Sequence, residues 1–113
     1  MNFVVNNQEW KLKFVKPKSK DLMRSDGSIT IGMTDNNKKT VFINNRLKGQ
    51  LQDKVLCHEL THVFAFEYDY EIPIEVEEIV ANFMSLYGRD IIYLLDDIME
   101  ILKKSPHCVG FNF

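Results

Sequence analysis

The sequence predicts an α+β domain: a small antiparallel β-sheet packed on a long helix, then a second helix and a C-terminal helix. Three observations predict it. Up to Asn44, short segments of alternating apolar and polar residues are separated by turn-forming residues. From Leu47 onward apolar residues recur at helical spacing, with the main breaks at Pro73, Gly88 and Pro106. At 113 residues and 45% hydrophobic content, the chain has material for one core, so residues 1–113 read as a single domain.

Trp10-Lys11-Leu12-Lys13-Phe14-Val15 alternates as a half-buried strand does, and Pro17 with the Lys-Ser-Lys after it ends the run. Asp21 to Arg24 suits a short helical turn. Asp26-Gly27 signals a turn, and Ser28 to Thr34 reads as a second strand through Ile29, Ile31 and Met33. Asp35-Asn36-Asn37-Lys38 is a loop, and Thr40 to Asn44 is a third strand that closes a hairpin with the second. If Thr40–Asn44 lies at a sheet edge, it offers its backbone to an extended peptide.

Leu47 to Phe66 contains no proline, and Leu51, Val55, Leu56, Leu60 and Val63 follow helical spacing. Pro73 suits the first position of a second helix, where its missing N–H does no harm. That helix is expected from Ile74 to about Tyr87, with Gly88 kinking or breaking it. A last helix, Asp90 to Lys104, has an apolar face of Ile91, Leu94, Leu95, Ile98, Ile101 and Leu102. Pro106 ends it, leaving a tail from His107 to Phe113.

Fourteen basic against sixteen acidic residues give a net charge of -2, which makes no electrostatic case for nucleic acid or a membrane surface. The lysines between Lys11 and Lys20 read as a solvated strand and loop. Cys57 and Cys108 are far apart and form no CxxC pattern, so no disulfide framework is expected; reduced thiols suit a cytoplasmic protein. Cys57 precedes His58, but one helical step turns it about 100° away. No signal peptide is evident in Met1 to Asn7, and no apolar run has the length of a membrane span.

Chemistry concentrates in His58-Glu59-Leu60-Thr61-His62, the HExxH pattern of zinc peptidases. Residues four apart on a helix lie one above the other, so both imidazoles point the same way and can take two positions around a zinc ion. Glu59 sits at the edge of that face, where its carboxylate can act on an activated water without being a ligand. The competing reading is a core helix with three such residues by coincidence. Burying three unpaired polar groups on a largely apolar helix would be costly, which favours the metal.

A catalytic zinc site takes three protein ligands and keeps one position open. A third histidine at metzincin spacing would fall at Tyr68, which excludes that class. His107 lies beyond a proline, leaving Glu71, Glu75, Glu77 and Glu78. Glu78, Ala81, Ser85 and Gly88 form one stripe that is small beyond Glu78, so this face can approach another helix closely. Glu75 and Glu77 read as solvated charges. A solvated Glu78 favoured by the helix dipole is the competing reading.

The HExxH helix followed by Glu78-Ile79-Val80-Ala81-Asn82 resembles the ImmA/IrrE metallopeptidases, a glutamate-zincin group frequent in phages and mobile elements. The resemblance covers roughly Leu47 to Ser85 and implies His58, His62 and Glu78 as zinc ligands and Glu59 as the base. Where such proteins usually continue with an aromatic and an alanine, this chain has Met84 and Ser85. Many relatives act on a transcriptional repressor or join a DNA-binding module, so the resemblance implies a separate protein partner here.

Together these readings predict a zinc-dependent endopeptidase acting on a protein or peptide, with no nucleic-acid or membrane partner. Tyr68, Tyr70, Tyr87, Tyr93 and His107 are candidate oxyanion donors, although packing accounts for each tyrosine separately. Two rivals stand beside it: a catalytically inactive, metal-stabilised binding module of phage origin, and a hydrolase of a non-peptide amide.

Overall fold

The computed structural model describes residues 1–104, so Pro106, His107 and Cys108 lie outside the described residues. Four strands, β1 (Asn2–Val5), β2 (Gln8–Val15), β3 (Gly32–Asp35) and β4 (Thr40–Asn44), precede three α-helices. The helices are α1 (Gly49–Glu67), α2 (Ile74–Phe83) and α3 (Arg89–Lys104), with a π-helical segment, Met84–Gly88, joining the last two. The α+β class is as expected. The sheet is mixed rather than antiparallel throughout: its order is β1-β2-β4-β3, and β2 runs parallel to β4.

The parallel pairing of β2 with β4 makes the difference, and an additional strand, β1, joins antiparallel on the outer side of β2. Asn6 and Asn7, with φ of 49° and 64°, form a two-residue turn that folds β1 back onto β2. Left-handed φ at both central positions matches the twist of a hairpin, and asparagine tolerates it. After β2 the chain crosses over through a 3₁₀ turn, Lys20–Leu22, and descends β3. It then re-enters the sheet as β4 beside β2. The expected strand from Ser28 shortens to Gly32–Asp35, because Ile29 makes only an isolated bridge to Met23.

β4 is therefore an interior strand, and β3 is the free edge on this side. The expectation that Thr40–Asn44 offers a peptide its backbone moves to β3. Thr40 through Ile43 are all buried, as an interior strand covered on both faces requires. Val41 and Ile43 join Val5, Trp10, Leu12, Leu47 and Val63 in the core between sheet and α1.

The far end of α1 is tied to the sheet by Glu67. Its carboxylate accepts from the Trp10 indole N–H at 2.9 Å and from Lys39 Nζ at 2.6 Å. The Lys39 hydrogen bond holds its carboxyl below the ordinary value of 4.5, and the Trp10 bond adds to this against some desolvation. A carboxylate with a lowered folded pKa contributes stability that is present above the unfolded-state value and lost as pH falls through the folded one. Lys39→Met is expected to lower stability at pH 7 and to flatten its decline below pH 4.5, read by urea unfolding across that range.

Candidate metal centre

α1 carries His58, Glu59 and His62, one turn forming the wall of a cleft of about 490 Å³. β3 and α2 complete it, with Gly32, Thr34, Glu78, Asn82 and Ser85 among the lining residues. α2 reaches α1 closely because its inward face is small: Ala81 is fully buried, and Gly88 is buried in the π segment. A Cβ at Gly88 would meet Met84 Cε at 2.7 Å, the far end of a flexible side chain that can move aside.

This approach brings Glu78 onto the two histidines. Its carboxylate oxygens lie 3.1 Å from His58 Nε2 and 3.0 Å from His62 Nε2, and the two Nε2 atoms are 3.2 Å apart. One ligand atom from each of the three falls within 4.8 Å of the others.

Glu77 bears on the tautomer of His62. It is buried, not solvated as the sequence suggested, and its Oε1 lies 2.6 Å from His62 Nδ1. A carboxylate only accepts, so Nδ1 carries the proton and the Nε2 lone pair points into the cluster. There it meets a carboxylate oxygen and a second imidazole nitrogen. Two acceptors, His62 Nε2 and a Glu78 oxygen, thus meet at His58 Nε2, and two imidazoles with one carboxylate form a donor set that suits zinc. The donor set fits the metal. The carboxylate–histidine contact also has the form that holds metal-ligating imidazoles in orientation. Glu75, by contrast, is exposed as expected.

Glu59 lies beside the cluster on the β3 side. Thr34 Oγ1 is 2.8 Å from Glu59 Oε1 and 3.1 Å from the Glu59 backbone carbonyl oxygen, a shared donation that anchors the carboxylate to the strand. Burial pushes the Glu59 carboxyl above its ordinary value, opposed by the Thr34 bond and by His58 and His62.

Gly32 permits the close approach of β3 to this residue. An added Cβ would stand 2.7 Å from Val55 Cγ1 and 3.1 Å from Glu59 Cγ. Gly32→Ala is expected to destabilise the fold by about 1–3 kcal/mol through overpacking, measured by urea unfolding, and to displace Glu59. Neither Thr34 nor Gly32 was singled out in the sequence.

Tyr68, Tyr70, Tyr87 and Tyr93 are all exposed and absent from the cleft wall, which removes them as oxyanion donors in this arrangement. His107 lies outside the described residues. Among the described residues, Arg24 and Lys54 are the cations that line the cleft. Cys57 is half-buried with its thiol directed at the Met84 carbonyl, 3.5 Å away, and burial pushes its pKa up. It does not line the cleft.

Paired histidines one turn apart, a glutamate from the next helix and a buried glutamate beside them define the HExxH class of metal-hydrolase domains. The chain belongs to a family within it: the IrrE N-terminal-like domain family of peptidases, whose family model matches residues 15–102. No match was found among curated proteins or among solved structures. The family assigns a metallopeptidase-type domain, and with it a protein substrate in general terms. Among the described residues no helix is long and apolar enough to cross a membrane.

Proposed function

We propose that this domain is a zinc-dependent endopeptidase that cleaves a cytoplasmic regulatory protein, a transcriptional repressor being the kind of substrate the family resemblance suggests. The convergence of His58 Nε2, His62 Nε2 and a Glu78 oxygen carries this reading, since two imidazoles and one carboxylate form a donor set that suits zinc. Zinc held by His58, His62 and Glu78 would supply Lewis acidity, lowering the pKa of a water and polarising the scissile carbonyl.

The protein's own groups provide the rest. Glu59 takes the proton from the attacking water and returns it to the leaving amine, held for both transfers by Thr34. Glu77 keeps His62 in the tautomer that leaves Nε2 unprotonated. Arg24 and Lys54 bring positive charge to a cleft otherwise containing Glu59 and Glu78.

The β3 edge supports an extended substrate. Ile31 accepts from the Asn44 N–H at 3.0 Å, so in this antiparallel ladder Met33 and Asp35 also bond toward β4. Gly32 and Thr34 consequently direct their N–H and C=O groups away from the sheet, available to a peptide beside the cluster.

The test is cleavage of a proteome-derived peptide library, read by mass spectrometry. Cleavage that stops on chelation and returns with added zinc is expected. Cleavage indifferent to the chelator, or none by the zinc-loaded protein, would contradict the proposal.

A further inference from the structure

The cleft around the cluster differs at its two ends. Lys54, His58, His62 and Phe66 follow one another at intervals of four along α1, so a cation and an aromatic ring flank the two histidines on the cleft wall. α2 and the π segment run back along α1 in the opposite sense. Glu78 reaches His58 and His62, the Met84 carbonyl meets the Cys57 thiol, and Arg89 bonds Asp53 at 3.0 Å. Ile74, at the start of α2, therefore stands with Phe66 at one end of the cleft. Arg24 belongs to the other end. Its guanidinium is 3.5 Å from Thr30 Oγ1, two residues before Gly32, which packs on Val55, the neighbour of Lys54.

We propose that the cleft selects a peptide segment with a large apolar residue N-terminal to the scissile bond and an aspartate or glutamate C-terminal to it. The inference rests on the peptidase reading of the site and names the side chains its substrate carries. Gly32 lies against Val55 and Glu59, and Thr34 is bonded to Glu59, so β3 leads from the cationic end toward the apolar end. A peptide pairs slightly better antiparallel to such an edge than parallel to it. Its N-terminal part then lies by Phe66 and Ile74, and its C-terminal part by Arg24 and Lys54. Twelve positions separate Lys54 from Phe66, about 18 Å along the helix, which an extended peptide spans in roughly five or six residues. Both determinants thus fall within about three residues of the bond that is cut.

Charge and exposure select these side chains. A divalent ion held by His58, His62 and Glu78 would offset the charges of Glu78 and Glu59, which leaves Arg24 and Lys54 as the uncompensated charges of the cleft wall. The acids nearest to them in sequence are engaged elsewhere. Asp53 holds Arg89, and Asp26 accepts from the Ser28 N–H at 2.9 Å and from its hydroxyl at 2.6 Å. Among the described residues neither cation takes part in an ion pair. A substrate carboxylate supplies the missing partner, and two cations around one acid also disfavour a lysine or arginine there. At the far end Phe66 and Ile74 are 37% and 58% exposed. An aliphatic or aromatic substrate side chain removes that apolar surface from water, which an acid does not.

The test is made on the full chain carrying Glu59→Gln and loaded with zinc, so that peptide preference is read without cutting. Random peptides are passed over the immobilised protein, those retained are sequenced by mass spectrometry, and one of them is titrated in solution. Retained peptides are expected to carry Asp or Glu a few residues C-terminal to a large apolar residue. Changing that acid to Gln should weaken binding about 3–10-fold, and less in high salt, as two exposed charge contacts allow. Arg24→Glu together with Lys54→Glu should reverse the preference, so that the peptide with Lys in place of the acid binds better. Zinc content and far-UV circular dichroism of that variant should match the parent. Retention of no peptide, retention without charge preference, or a preference that survives the double reversal would overturn the proposal. Wild type that cuts peptides with no such preference would overturn it and leave the peptidase reading standing. The preference without any cleavage by wild type would uphold it and remove the peptidase reading.

Discussion

Glu59→Gln is expected to reduce peptide cleavage by about 10²–10⁴-fold, the contribution general acid–base catalysis typically makes. Folding and zinc affinity should persist, because the amide keeps the side chain's volume and an acceptor for the Thr34 hydroxyl. The reading is kcat at saturating peptide, with zinc content measured in the same preparation. A protein that only holds a partner would bind that partner equally well with either residue. Unchanged cleavage by the glutamine variant would remove Glu59 from the proposed mechanism, and loss of zinc together with cleavage would point to a ligand role instead.

Glu77→Ala is expected to weaken zinc affinity about 10–100-fold, as loss of a hydrogen bond behind a metal-ligating histidine commonly does. The mutation leaves His62 Nδ1 without its 2.6 Å partner, freeing the ring to turn or to change tautomer. Glu77→Gln retains an acceptor for that N–H and should recover much of the loss. Competition against a chelator of known affinity gives the dissociation constants. Equal affinity in wild type and alanine variant would show that Glu77 does not position the ring.

The two glutamates also show how far a sequence reaches. His58, Glu59 and His62 are fixed relative to one another by a single helix, so local geometry is enough to align them. Which acid of α2 faces α1 depends on how α2 is rotated, and packing decides that. Ala81 is three residues from Glu78 and four from Glu77, and both spacings belong to one helical face. The small stripe that favoured Glu78 applied equally to Glu77, which is why its burial went unread. The same spacing could have suggested a pair of inward acids.

The sheet shows a similar division. Alternation in Trp10–Val15 and the β-branched run at Thr40–Asn44 revealed two strands, and Asn6-Asn7 was an available turn signal for β1. The parallel pairing of β2 with β4 had no local signature, since a crossover through the 3₁₀ turn and β3 joins them rather than a helix. The role of β3 followed from that pairing: once β4 is interior, the edge beside the cleft belongs to Gly32–Asp35.

Zinc content of purified wild type beside Glu78→Ala, measured by mass spectrometry, tests the central claim most directly. The expected result is about one zinc per wild-type chain, from three protein ligands and an open position, and a clear loss in the variant. Full zinc retained by Glu78→Ala would place the third ligand elsewhere. Wild type that holds no zinc even after it is added would contradict the account at its foundation.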